Sequence, residues 1–104
     1  MAFHRSTDIR EEFDLEMSAA VAFALVVSAY RAVGQVKSVQ EVFMRVDGKI
    51  GGGIGGMNLA SVTVQVKKVG DSASKLVIDA AAKEGLINQG TASSAVSRLL
   101  EAMN

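Results

Sequence analysis

The chain has no cysteine, no proline, one histidine and a formal net charge of zero over 104 residues. Each shortage closes off a class of function. Without cysteine there are no disulfides, no thiolate nucleophile and no cysteine metal ligands. His4 stands near the N-terminus without cysteine partners, so no zinc or haem site is expected. Neither is any cofactor. Eleven basic and eleven acidic residues leave no electrostatic footprint for general nucleic-acid binding. The same neutrality gives copies of the chain little reason to repel one another. The absence of proline fits regular elements joined by glycine turns. With His4 as the lone histidine and no G-x-S-x-G elbow, a serine hydrolase is unsupported.

Apolar residues make up 49% of the sequence, which places it among globular chains. The length suits one small α+β domain over residues 1–104, with a modest core that oligomerisation would help. Asp8, Glu11, Glu12, Asp14 and Glu16 precede the apolar run, unlike the basic start of a secretory signal. That run, MSAAVAFALVVSAY from Met17 to Tyr30, is shorter than the ~20 residues a membrane-spanning helix needs. A cytoplasmic protein with no membrane partner is the expectation.

Asp8 and Glu11 are spaced as an N-cap pair, and Gly34 suits the C′ position. They predict one long helix over residues 8–33, its second half apolar nearly all round. VQEVFMRVDGKI follows, with Val42, Met44 and Val46 at period two. In LASVTVQVKKV, Ala60, Val62, Val64 and Val66 alternate with polar residues. Both read as strands, forming an antiparallel hairpin around the glycines. Asp71 or Ser72 would cap a helix through SKLVIDAAAKE, with Leu76, Val77, Ala80 and Ala81 as its apolar stripe and Gly85 as its end. Thr91 or Ser93 would start a last helix carrying Val96, Leu99, Leu100 and Met103. The predicted fold is a long buried helix, a β-hairpin and two C-terminal helices, assembled as an intertwined homodimer.

Six of the ten glycines lie in GKIGGGIGGMN, and Gly51, Gly53 and Gly56 satisfy G-x-G-x-x-G. A dinucleotide site needs a helix after that motif to hold the pyrophosphate, and here a strand follows. A hairpin loop is the better reading. Ala81-x-x-x-Gly85 has helix-turn-helix spacing, but the next helix offers only Arg98 as a base, which disfavours DNA. The acidic cluster Glu11, Glu12, Asp14 and Glu16 has no partner that would make it an acid–base pair. Arg31 reads as a charge complementing the end of the helix.

The middle of the chain resembles the osmotically inducible protein C and organic hydroperoxide resistance family (OsmC/Ohr). AVAF at Ala20 to Phe23 sits where that family has its AACF-like core. GGGIGGMNLASVTVQVKKVG resembles its strand pair, and LVIDAAAKEGLIN the helix before its second cysteine. The resemblance, over about residues 12 to 90, implies the family's fold core and an intertwined dimer. It would place the peroxidatic cysteine at Ala22, the resolving cysteine near Gly85 or Ser94, and an activating glutamate at Glu12. Neither thiol exists, so peroxidase activity is not implied.

No catalytic, cofactor or metal residue is assigned from the sequence. The leading expectation is a non-enzymatic structural or interaction domain that partners itself. The rival is a binder or enzyme taking a small apolar ligand in a pocket between subunits, with Glu12 or Arg31 pointing in. DNA binding through the C-terminal helix pair stands third.

Overall fold

The computed structural model describes residues 5–52, 58–84 and 90–104. In chain order the elements are β1 (Arg5–Leu15), α1 (Ala19–Val33), β2 (Gly34–Gln40), β3 (Arg45–Gly52), β4 (Asn58–Gly70), β5 (Ala73–Glu84) and α2 (Thr91–Met103). All strands pair antiparallel in one sheet of order β1-β5-β4-β3-β2. Strands β2 to β5 form a meander. β1 closes the far edge beside β5, and α1 carries the chain from one edge of the sheet to the other.

The expected architecture of a hairpin with two C-terminal helices is therefore wrong. Among the described residues five strands replace two, and one C-terminal helix replaces a pair. The helix expected over residues 8–33 is split. Ile9, Phe13 and Leu15 alternate with Arg10, Glu12 and Asp14, and this segment is the edge strand β1. The helix starts at Ser18, whose hydroxyl accepts from the Val21 amide at 3.2 Å. It stops where the Gly34 amide bonds the Tyr30 carbonyl and the chain turns straight into β2.

SKLVIDAAAKE is also a strand. Asp71 and Ser72 form the tight turn between β4 and β5 rather than a helix cap. Leu76, Ile78, Ala80 and Ala82 point to the core, each paired across β4 with Val66, Val64, Val62 or Ala60. Position in the sheet overrides the helical propensity of three consecutive alanines. VQEVFMRVDGKI is interrupted by a turn at residues 41–44, where Met44 adopts a left-handed φ of 50° and Val42 is 91% exposed. Met44 and Val46 therefore do not share a strand with Val42. The expected alternation in β4 is present, with Ala60, Val62, Val64 and Val66 all buried, and β3 pairs with β4 in the expected antiparallel sense.

Both helices cover the same face of the sheet. From α1, Ala22, Val26 and Tyr30 are buried there; from α2, Ala95, Val96 and Leu99. They meet Val46 and Ile50 of β3, Val62 and Val64 of β4, and Leu76 and Ile78 of β5. Full burial of a side chain of this size is worth ~1.5–3 kcal/mol, so this layer carries the fold. A register shift between Val36 and Ser38 keeps both Val36 and Val39 of β2 against the core. The opposite face of the sheet is polar. On it Asp47 accepts from Thr63 Oγ1 at 2.7 Å and pairs with Arg45 at 3.3 Å.

Candidate ligand-binding cleft

Small residues decide how closely the helices approach the sheet. A Cβ at Gly52 would collide with the Thr91 carbonyl, so α2 begins flush against β3. A Cβ at Gly48 would meet the Gln35 carbonyl and the Tyr30 ring, so the ring lies directly on β3. Tyr30 is fully buried, and its hydroxyl donates to the Val62 carbonyl at 2.7 Å. Burial, and secondarily the charge of Asp47, push its pKa well above the ordinary tyrosine value.

The start of α2 is tied down by side chains. Asn58 Nδ2 donates to Thr91 Oγ1 at 2.9 Å and to the Lys83 carbonyl at 3.0 Å, joining β4, β5 and α2. Arg98 Nη1 donates to the Gly51 carbonyl at 3.0 Å. The base considered above for DNA contact thus braces α2 against β3. Gly90, rather than Thr91 or Ser93, is the N-cap residue, so the cap position itself offers the helix no side chain.

Toward the other end of α2, Leu99 is buried in the core but Leu100 and Met103 are only partly buried. Between that end, α1 and the β1 edge lies a cleft of ≈ 290 Å³. Phe13 and Leu15 of β1 and Leu76 of β5 line the sheet side. Met17 and Leu25, with Leu100 and Met103 of α2, line the helix side. Among the described residues, Asp14 and Asn104 supply the only polar lining. One pleat away on the core face, opposite Leu15 and two residues before Leu76, the buried Ser74 hydroxyl has no hydrogen-bond partner among the described residues. A second groove, of ≈ 530 Å³, lies on the solvent side of α1, where Phe23 and Val27 face Val39 of β2.

The residues singled out from the sequence are dispersed. Glu11, Glu12 and Asp14 are exposed along the β1 edge and Glu16 in the bend after it, and of these only Asp14 reaches the cleft rim. Arg31 lines the outer groove. Neither Glu12 nor Arg31 enters the apolar cleft. Ala22 is fully buried in α1, and Ser94 lies in the first turns of α2. Gly51 belongs to β3, whereas His4, Gly53, Gly56 and Gly85 lie outside the described residues. Ala81 is in β5, so the helix-turn-helix pair does not exist. Among the described residues no group of three His, Cys, Asp or Glu could hold a metal, and no helix is long and apolar enough to cross a membrane. The cleft went unpredicted because its lining comes from β1, α1, β5 and α2, and two of those strands were expected to be helices.

No family model matches the chain, and no curated protein matches it in sequence. Solved structures do match it in three dimensions. A START superfamily protein from Mycobacterium smegmatis superposes with a TM-score of 0.65 at 9% identity, covering 92% of this chain and 93% of that one. The fold is START-like. Norcoclaurine synthase from Thalictrum flavum, in complex with dopamine and hydroxybenzaldehyde, gives a TM-score of 0.66 at 9% identity over 97% of this chain and 86% of that one. Ara h 8.0201 gives 0.66 at 12% identity over 95% of each. These likenesses replace the OsmC/Ohr resemblance. The START-like arrangement leaves AVAF inside a helix laid across one antiparallel sheet, and LVIDAAAKE inside a strand of it, where the resemblance required a helix.

Proposed function

We propose that the protein binds a small, largely apolar molecule in the cleft between β1, β5 and the two helices, without transforming it. The observation that carries this reading is the cleft itself. Seven apolar side chains converge on ≈ 290 Å³ of space between the sheet and the helices. That is near the lower end of the ~300–1,000 Å³ usual for ligand sites. Asp14 at the rim offers one carboxylate to a polar or cationic group of the ligand. Among the described residues no second titratable side chain lines the cleft to make an acid–base pair, which favours binding over catalysis. The fold neighbour holding dopamine and hydroxybenzaldehyde, both single-ring aromatics, supports a ligand of that class.

A panel of single-ring aromatic amines, phenols and short-chain acids, titrated into methyl-labelled protein, tests the reading. Saturable shifts should concentrate on the methyls of Met17, Leu25, Leu100 and Met103. Leu100→Trp should fill the cleft and abolish those shifts while the rest of the spectrum is retained. Shifts scattered over the surface, or binding unaffected by Leu100→Trp, would count against the assignment.

A further inference from the structure

Only one face of α1 is buried within the chain. Ala22, Val26, Ala29 and Tyr30 point to the sheet. The opposite face is apolar as well. Val21 is 58% exposed, and Ala20, Phe23, Ala24, Val27 and Val39 line a groove of ≈ 530 Å³. Arg31 is the only charged residue of the helix. A helix with one side on a core and the other in water normally carries polar residues on the wet side. Here Ser28 and Arg31 are the only polar residues of the helix that line the groove, which is charged only at its ends, by Arg31 and Glu41.

We infer that this groove is the interface between two copies of the chain, with α1 lying antiparallel to α1 of the partner across a two-fold axis. The axis falls between Phe23 and Ala24. Antiparallel pairing about that point sets Phe23 against the partner's Ala24 and Ala20 against the partner's Val27. Each larger side chain meets a small one, as an isologous interface requires. The same rotation brings Arg31, in the last turn, to the partner's Glu16, two residues before the helix N-cap. β2 doubles back beside α1, so Glu41 at its far end also borders the groove. The Arg31 guanidinium therefore arrives between two carboxylates of the other copy, once at each end of the interface. A parallel pairing would set Arg31 against Arg31 and lose both contacts. The zero net charge of the chain adds no long-range repulsion to oppose the encounter. The cleft described above lies on the other flank of α1 and stays open in such a dimer, so the two proposals stand independently.

Sedimentation of the full chain at micromolar concentration tests the inference. The wild type should run as a dimer. Ala24→Arg, at an exposed position, should be monomeric with its methyl spectrum otherwise intact. Arg31→Glu should weaken the dimer by at least about tenfold, and adding Glu41→Arg to it should recover part of that loss. A wild type that stays monomeric would overturn the proposal. So would an Ala24→Arg variant that dimerises undiminished, and a charge-swapped pair with no recovery would overturn the antiparallel arrangement.

Discussion

The two halves of α2 meet the same sheet in different ways. Its first turns carry Thr91, Ala92 and Ala95, and rest on Gly52 with no room for a methyl group. Its last turns carry Leu100 and Met103, only partly buried, and face Phe13 and Leu15 across open space. Both halves are amphipathic and both sit on a core face, so hydrophobicity alone does not separate them. The difference is side-chain bulk. Where glycine meets alanine the layers close, and where leucine, methionine and phenylalanine meet they hold one another apart. A small domain can hold a cleft open this way with an apolar lining, leaving Asp14 and Asn104 as its polar residues among those described.

The comparison breaks most sharply at Gly52. A valine there should drive α2 off β3 and destabilise the protein by roughly 3 kcal/mol or more, seen as a lower denaturant midpoint. Similar bulk added at the open half, in Leu100→Trp, should cost less than about 1 kcal/mol. Equal losses at both positions would show that the cleft is as tightly packed as the rest of the core.

Tyr30 sharpens the closed side further. Tyr30→Phe removes the bond to the Val62 carbonyl and should cost ~1–3 kcal/mol at neutral pH. The folded tyrosine has a raised pKa, so folding favours the protonated phenol. Its contribution is complete below the unfolded value of about 10 and falls as pH climbs above it toward the raised folded value. The wild type should therefore lose stability steadily in that alkaline window, and Tyr30→Phe should lose less over the same range. Parallel pH curves for the two proteins would contradict the burial of the hydroxyl.

The smallest effect is expected at Ser74. Its hydroxyl is buried without a partner among the described residues, so Ser74→Ala should be neutral or stabilising, within about 1 kcal/mol. A clear loss of stability would reveal a hydrogen bond at that position.

Elements whose pattern is local could be read from the residues. Val62, Val64 and Val66 alternate with polar neighbours, and β4 is where that alternation puts it. The stripe of Val96 and Leu99 marks α2 equally well. The residues of β1 and β5 fit both periods, so the sequence alone predicts helices there. Leu76, Val77, Ala80 and Ala81 make a helical stripe, while Leu76, Ile78, Ala80 and Ala82 make a strand face. Only the pairing with β4 and β1 chooses between them, and those partners lie far away in the chain. In β1 the polar Glu11 breaks the apolar alternation at its centre, and the spacing of Asp8 and Glu11 imitates a helix cap. The cleft was illegible for the same reason, since it exists only once β1 and β5 lie side by side.

That pairing also dictates an order of assembly. β1 precedes the other described elements, yet its strand partner among the described residues is β5, and Arg5 waits for Glu84. The meander from β2 to β5 can zip between neighbours in sequence, whereas β1 closes the longest loop in the molecule at the greatest entropic cost. β1 thus has to wait for β5 before it can dock. Until it does, Leu76 and Ile78 lack one wall of their core, and β5 presents a bare edge to any other strand nearby.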